Sequence, residues 1–505
     1  MRMFDTARRG ALAMALLLPV TAGAQAAPAA HTLEIATDQS PVGLDPQIAT
    51  AFSTAIIDSN IYEGLTAIDA GLHIVPALAS SWTVSPDGLT YVFHLRAGAV
   101  FHNGRALTPQ DVIANFARVR DPKTGSPFAS RLQSVASMAP EGKNAVKIVL
   151  SSPSAPFLGQ LAGIAIAAPE AFATLGRQPV GTGPFRFKQW IPDTSITLER
   201  NPAYWAKGLP RLAALNFAIV PEAATREAGI SGGTYQLIPV ADAATAAALK
   251  GKPHVRLLQT QDLAYSLIGL NAARPPFDNP LVREAVNMAI DRAQLVQAVY
   301  FGRGVPAGPL SPALTQWALP TSKFACYKPD PAGAARKLHE AGITGKLKVT
   351  LNVLGSLPLV VDVAQVVQAQ MNKAGFDVTL NVQEQGRFIA DWRAKNFQGF
   401  VSLNGGGTDP DDYFGRTFQT GGATNVFQYS NPALDKLLTA ARATTDTAAR
   451  KQMYDQAQRI LACRGPIVHL AYGTLFAAVR DDVHGFAPMA TRSLWTLRAT
   501  SLGAK

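Results

Sequence analysis

The spacing of hydrophobic residues predicts a β-rich first half of the chain. Residues 31–36 alternate as a strand, residues 52–65 carry apolar side chains at helical spacing, and residues 78–96 indicate an antiparallel hairpin. Thr108, Pro109 and Asp111 form a capping-box pattern that predicts a helix start. Residues 255–259 and 264–271 are further predicted strands, which we expect to cross between the two halves of the molecule.

After Asn271 the pattern alternates between strands and helices. The dipeptides Asn279-Pro280 and Asp330-Pro331 predict helix starts, because Asn and Asp cap helices and proline suits the first turn. Residues 347–353, 359–373 and 376–382 predict a βαβ unit, whose two strands should be parallel. A predicted helix over 388–395 and a buried strand over 397–403 follow, and residues 467–470 and 475–479 return as strands.

The strand over 397–403 is followed by an unusual stretch, residues 404–412, which we name the glycine loop. It contains Asn404, three consecutive glycines, and then Asp409, Asp411 and Asp412. Consecutive glycines allow another group to approach the backbone closely. Both a solvated turn and a ligand loop fit this composition. Ligands of open α/β sheets bind beyond the carboxyl ends of the strands, where this loop is predicted to lie.

The N-terminus has the organisation of a secretory signal peptide, predicted over residues 1–26. Three arginines precede a short apolar run over 11–20 and a region of small residues with cleavage sites. No later segment has the length of a membrane helix. We therefore expect a soluble mature protein outside the cytoplasm, in the periplasm.

Charge and cysteine content restrict the partners. The 505-residue chain carries a net charge of +11, but its basic residues are scattered and not interleaved with aromatic residues, so nucleic acid is a poor candidate. Two cysteines, Cys326 and Cys463, could form a disulfide in an oxidising compartment, and their spacing leaves this open. Two cysteines alone do not make a metal site, and we expect neither a metal nor a cofactor.

One motif suggests catalysis. Residues 229–233 match G-x-S-x-G, but a nucleophile elbow needs a strand before the serine and a helix after it. Here a predicted helix over 222–228 precedes Ser231 and a predicted strand over 235–239 follows. A helix-ending turn is therefore favoured, and a secreted serine hydrolase using Ser231 is kept as the alternative from another class of function.

A series of motifs in one order resembles the family 5 extracytoplasmic solute-binding proteins, the peptide/nickel-type receptors of ABC importers. The matching segments span nearly the whole mature chain: 62–65 (YEGL), 76–82 (PALASSW), 87–91 (DGLTY), 93–96 (FHLR), 101–104 (FHNG), 181–185 (GTGPF), 201–205 (NPAYW), 282–285 (VREA) and 409–410 (DP).

The resemblance implies a two-lobed α/β periplasmic binding protein fold of type II, with an extra subdomain and a two-strand hinge. Lobe I would comprise residues 31–51, 168–261 and 474–505, with 52–167 as its extra subdomain, and lobe II would comprise 262–473. The implied function is capture of a peptide or similar small polar solute by a monomer, and its delivery to ABC permease subunits in the inner membrane. A receptor for a metal chelate or an opine-like solute is the alternative within this class.

The resemblance also implies where ligand binds. In dipeptide-binding members an Asp shortly before the shared Asp-Pro pairs with the peptide α-amino group, and that place is Gly406 here. A Trp that members often carry after the preceding strand aligns with Gln385. The predicted ligand-binding residues, from the first lobe and from two strand ends of the second, are Thr50, Phe52, Glu384, Gln385, Arg387, Asn404, Gly405, Gly406 and Asp409. Glu384 or Asp409 is expected to supply the charge that Gly406 lacks.

Overall fold

The structure, a computed structural model, describes residues 31–240 and 243–503. The predicted signal peptide lies outside the described residues. The strands are β1 (Thr32–Thr37), β2 (Thr66–Ile68), β3 (Ile74–Pro76), β4 (Ala79–Val84), β5 (Thr90–Leu95), β6 (Val135–Glu141), β7 (Ala145–Leu150), β8 (Phe185–Ile191), β9 (Ser195–Arg200), β10 (Ala214–Ile219), β11 (Leu237–Val240), β12 (Val255–Leu270), β13 (Gly304–Pro306), β14 (Leu347–Leu354), β15 (Phe376–Gln383), β16 (Gly399–Gly405), β17 (Ile467–Arg480), β18 (Val483–His484) and β19 (Ser501–Leu502).

Most of the α-helices lie in the second half of the chain. The α-helices are α1 (Phe52–Ile61), α2 (Pro109–Arg120), α3 (Phe157–Ala162), α4 (Ala223–Gly232), α5 (Ala243–Leu249), α6 (Pro280–Ala289), α7 (Arg292–Tyr300), α8 (Pro331–Glu340), α9 (Pro358–Lys373), α10 (Gln385–Arg393), α11 (Pro410–Phe418), α12 (Pro432–Ala443) and α13 (Thr447–Arg464). Short 3-10 helices lie at Ala129–Leu132, Pro169–Ala171, Thr321–Lys323, Ala325–Tyr327 and Trp495–Ala499. Within the described ranges, no helix is both long enough and apolar enough to cross a bilayer.

One large sheet runs through the molecule in the order β15-β14-β16-β12-β17-β11-β1-β10-β9-β8, with β13 paired to β17. Its centre is the antiparallel pair β12–β17, paired from Val255↔Arg480 to Gly269↔Ile467. A separate four-stranded antiparallel sheet, β4-β5-β7-β6, lies within the segment predicted as the extra subdomain. The strands β12 and β17 are therefore shared by both halves of the sheet.

Local sequence signals predicted several of these elements correctly. The hairpin is β4–β5 and the capping box at Thr108 begins α2. The βαβ unit is β14-α9-β15, with parallel pairing from Leu347↔Phe376 onward. Helix α10 begins three residues earlier than predicted, because the Glu384 side chain caps it.

The two predicted crossing strands at 255–259 and 264–271 were wrong as separate elements. They form one strand, β12, whose pairing with β17 is interrupted between Gln261 and Tyr265 and then resumes. The second crossing strand is β17, which joins the two short strands predicted at 467–470 and 475–479. An irregularity within a continuous ladder looks like a chain break in the sequence, because the inward and outward alternation of side chains is lost there.

The hydrophobic cores follow the same division. One large core is built from residues between Leu33 and Leu237, and strand β17 and the C-terminal segment complete it with residues such as Val479 and Leu497. Two others are built almost entirely from residues 263–472. Cys326 and Cys463 form a disulfide with a sequence separation of 137 residues, which settles the alternative that the sequence left open. The lobe boundaries given above remain a prediction.

Candidate functional site

The carboxyl ends of three strands meet at one edge of the sheet. Strand β14 is parallel to both β15 and β16, so residues following each strand emerge on the same side. Strand β16 runs two residues further than the sequence predicted, since Asn404 and Gly405 still pair with Tyr265 and Ala264 of β12. The glycine loop therefore leaves the sheet directly beside a crossing strand.

The glycines let the loop pack against that strand without side chains. The Gly406 N–H donates to the Leu263 carbonyl over 3.0 Å, and a Cβ at Gly406 would lie 2.8 Å from the same oxygen. A Cβ at Gly407 would lie 2.5 Å from that of Asp412. An acidic side chain at Gly406, the place that the family resemblance assigns to an acid, would need a backbone shift here. A Cβ at Gly405, in contrast, would meet nothing within 4 Å.

Two acids of the glycine loop are already paired with arginines. Asp409 caps α11 by accepting from the Asp411 N–H, and its two oxygens accept from Arg450 over 2.7 and 2.6 Å. Arg442 donates to both oxygens of Asp411 over 3.0 and 2.9 Å. Sequence reasoning missed helix α11, although Asp409-Pro410 carries the same capping signal that was used at Asn279-Pro280. The carboxylate predicted to hold a ligand amine thus already has a cation partner.

The third acid contacts the segment predicted as the extra subdomain. Gln160 donates to an Asp412 oxygen over 3.3 Å, and the Ala155 N–H donates to the Arg442 carbonyl over 2.8 Å. Burial, reinforced by the charge of Asp409, raises the pKa of the Asp412 carboxyl to about 6, and Arg131 opposes the shift. These contacts bridge the first and second halves beside the glycine loop.

A series of hydrogen-bonded, buried aromatic side chains connects to the glycine loop at Asn404. The Asn404 amide donates to the Tyr265 hydroxyl over 3.2 Å, Tyr265 bonds to the Tyr413 hydroxyl, and Tyr413 bonds to His469 Nε2 over 3.0 Å. Burial lowers the pKa of His469 to about 3 and raises the pKa values of both tyrosines. The series is therefore neutral at physiological pH, and it fixes the orientation of Asn404.

Phe52, in the first half of the chain, is connected to the crossing strand β12 through Arg492. It is the first residue of α1, its side chain is 59% exposed, and the Arg492 guanidinium lies 4.6 Å from its ring centroid. Arg492 in turn donates to Asp262 over 2.6 Å, one residue before the Leu263 that holds Gly406. Thr50, also exposed, lies just before the helix. Nothing in the sequence indicated the Arg492–Asp262 pair, because it joins residues far apart in the chain.

The residues predicted after β15 lie apart from this group. Strand β14 separates β15 from β16, so their ends are about 10 Å apart. Glu384 accepts from the backbone N–H groups of Gly386 and Arg387, and these bonds lower its pKa. Arg387 pairs with Asp391 over 2.8 Å, and Gln385 is exposed at the first position of α10. The structure gives Glu384 a capping role, and it brings neither it nor Arg387 to the glycine loop.

One cation that the sequence did not single out does reach the loop. Arg416, in the last turn of α11, donates to the Gly405 carbonyl over 2.9 Å, and its side chain is exposed. No carboxylate of residues 31–240 or 243–503 lies within ion-pair distance of its guanidinium.

A cavity of about 560 Å³ borders the glycine loop. Tyr91 and Leu158 line it from the first half, and Trp317, Thr408 and Asp409 line it from the second. Its size is within the range of small-molecule sites. In the part of the chain that the structure describes, no three side chains of His, Cys, Asp or Glu are grouped as a metal site requires.

The serine of the G-x-S-x-G motif has no elbow geometry. Ser231 lies inside α4, which precedes β11, and its hydroxyl donates to the Glu227 carbonyl one turn earlier. Ser231 therefore lies in the last turn of α4, which ends at Gly233, a C-cap with a φ of 86°. The arrangement is the reverse of the strand–serine–helix order that a hydrolase needs.

Comparison with known families identifies the kind of protein. The family described as "Bacterial extracellular solute-binding proteins, family 5 Middle" matches residues 73–425. The chain belongs to this family. The probable di/tripeptide-binding protein 5 of Pseudomonas aeruginosa (strain UCBPP-PA14) is 32% identical over 499 residues, covering 91% of this chain and 93% of the relative. Heme-binding protein A of Haemophilus influenzae (strain ATCC 51907 / DSM 11121 / KW20 / Rd) is 30% identical over 500 residues, covering 90% of each.

A solved structure of a periplasmic binding protein has the same fold. The ABC transporter-associated periplasmic binding protein DppA from Helicobacter pylori, in complex with the peptide STSA, superposes with a TM-score of 0.79 at 26% identity, covering 94% of this chain and 98% of that protein. The predicted family and its two-lobed α/β fold are thereby confirmed, and so is a transport role for this family 5 member. The family and these matching proteins are substrate-binding proteins, not enzymes.

Proposed function

We propose that this protein is the periplasmic substrate-binding component of an ABC importer. It captures a short peptide or a similar small polar solute between its two lobes and delivers it to permease subunits in the inner membrane. A di/tripeptide-binding relative and a structural neighbour holding a peptide support the peptide class. The protein acts as a monomer and is exported by its signal peptide.

The observation that carries the proposal is the meeting of the two halves at the crossing strands. Phe52 lies on the first half, the glycine loop on the second, and Asp262 and Leu263 of β12 contact both through Arg492 and Gly406. A ligand placed here would touch both lobes, and contact with both is what favours a closed form over an open one. Thr50, Phe52, Asn404, Gly405 and Gly406 are the proposed ligand-contacting residues.

A thermal-shift screen against di- and tripeptides, opines and metal chelates tests the proposal. A ligand at a hundredfold excess over its dissociation constant stabilises the protein by about 2.7 kcal/mol, which moves the melting temperature visibly. We expect a peptide to give this shift and Phe52→Ala to reduce it. Phe301→Ala is the matched control, since Phe301 is also exposed (66%) but lies at the end of α7. A screen in which no solute shifts the melting temperature would refute the proposal.

A receptor for a metal chelate or an opine-like solute is the second candidate. It is favoured by the absence of an acid at Gly406, where dipeptide-binding members hold the ligand α-amino group. It is also consistent with a relative that is named a heme-binding protein. The same screen separates the two candidates, because each predicts a different class of stabilising solute.

A further inference from the structure

The acidic and basic side chains around the carboxyl end of β16 differ in whether they already have partners. Every carboxylate there has a partner of its own: Asp409 bonds to Arg450, Asp411 to Arg442, Asp262 to Arg492 and Asp412 to Gln160. Glu384, at the end of β15, caps α10. Each of these acids therefore already accepts a hydrogen bond from the protein itself.

Arg416 is the opposite case. Its guanidinium donates to the Gly405 carbonyl, and this bond fixes its place beside the open space in front of Gly405. The other donors of the fork remain available, since a guanidinium has five N–H groups and matches a carboxylate with two parallel bonds. Among the described residues no carboxylate neutralises it.

We infer that the glycine-loop subsite binds an anionic group of the ligand, a carboxylate held by Arg416, in place of the cationic amine that an acid at Gly406 would bind. The glycine backbone is necessary for this inversion. Gly406 is packed against the Leu263 carbonyl and has no side chain, so this position of the loop supplies no acid to pair with Arg416. The carboxylate comes either from the C-terminus of a peptide or from an acidic side chain. The inference rests on the proposed function for the location of the cleft.

Binding measured by calorimetry on the full mature chain tests the inference, with two matched pairs of peptides. Trialanine and its C-terminal amide differ only in the terminal carboxylate. The amides of Ala-Glu-Ala and Ala-Gln-Ala differ only in a side-chain carboxylate. We expect one carboxylate form to bind about 10- to 100-fold more tightly than its neutral partner, as a charge-assisted hydrogen bond provides. The pair that shows the difference identifies the source of the carboxylate.

Arg416→Gln should abolish that difference by weakening the carboxylate form alone. Arg336→Gln is the matched control, an exposed arginine in the same half of the molecule that is already paired with Asp330 and lies outside the predicted site. We expect it to leave both affinities unchanged. Peptides that bind equally well with and without a carboxylate, and equally well to Arg416→Gln, would overturn the inference while leaving the proposed function intact.

A second arm separates the remaining outcomes. Succinate and 1,4-diaminobutane are dianionic and dicationic probes of similar length, and their effects on the melting temperature are compared in the parent and in Arg416→Gln. If no peptide binds but succinate alone stabilises the parent and not the variant, the inference stands and peptide capture fails. If neither the peptides nor succinate bind, the inference is refuted, and the proposed function is refuted as well only if no solute of the wider thermal-shift screen binds.

Discussion

Asp409 was predicted as a ligand contact, but the structure gives it a structural role that can be tested directly. Its carboxylate lies against Arg450, whose side chain is only 6% exposed, with two bonds of 2.7 and 2.6 Å. Asp409→Asn keeps the helix cap, since Asn and Asp cap equally well. The substitution leaves a buried guanidinium without its counter-charge, so any loss of stability reports the ion pair.

The magnitude follows from the burial of the pair. Removing one partner of a buried ion pair costs about 3–5 kcal/mol. Arg450 keeps a bond to the Ala441 carbonyl and lies 5.1 Å from the ring centroids of Trp317 and Tyr454, so we expect the lower end, about 3 kcal/mol. Asp409→Ala should lose about 1 kcal/mol more, because the cap is lost as well.

Urea unfolding followed by tryptophan fluorescence measures this loss. Asp455→Asn is the control. Asp455 lies on α13, as Arg450 does, and its pair with Lys451 is more exposed, so the substitution should change the free energy of unfolding by less than about 1 kcal/mol. Asp409→Asn should bind the ligand normally once folded. A variant as stable as the parent that has lost ligand binding would refute this reasoning and restore Asp409 as a ligand contact.

Three further predictions concern other parts of the molecule. Replacing Cys326 and Cys463 together by alanine should lower the free energy of unfolding by about 5 kcal/mol, because the disulfide closes a 137-residue loop. Urea unfolding of the double variant, and of the parent with and without reductant, measures this loss. A parent that is equally stable with and without reductant would contradict the prediction. Burial raises the pKa of Asp412 to about 6, so its ionisation costs stability as pH rises from about 4 through 6. Asp412→Asn should therefore melt at a higher temperature than the parent at pH 7.5 and at the same temperature at pH 4. A difference in melting temperature that is the same at both pH values would contradict the assignment. Ser231→Ala should leave ligand affinity unchanged, whereas loss of a burst of ester hydrolysis would revive the hydrolase alternative.

The parts of the fold that the sequence predicted well depend on neighbours in the chain. The capping box at Thr108, the hairpin β4–β5 and the βαβ unit β14-α9-β15 each rest on signals within a few residues or on a clear period. The strand end of β16 was misplaced by two residues, because pairing with β12 keeps Asn404 and Gly405 in the sheet. Pairing between distant strands leaves no local mark.

The candidate site was predicted only in part for the same reason. The glycine loop was predicted from composition and Phe52 from family resemblance; the structure packs the loop against β12 and connects Phe52 to β12 through Arg492. Arg416 and Arg492 were missed, because an arginine in a sequence does not reveal which distant carbonyl or carboxylate it will reach. The partners of Asp409 and Glu384 were missed in the same way, and those partners change what the two acids can do.

The interruption in the β12–β17 ladder has a mechanical consequence. A paired ribbon of two strands is stiff where its ladder is regular and bends most easily where the pairing is broken, here between Gln261 and Tyr265. The Gly406 N–H donates to the Leu263 carbonyl inside that break. Bending at this break would therefore turn the strands on either side of it, while the glycine loop stays bonded to the break itself.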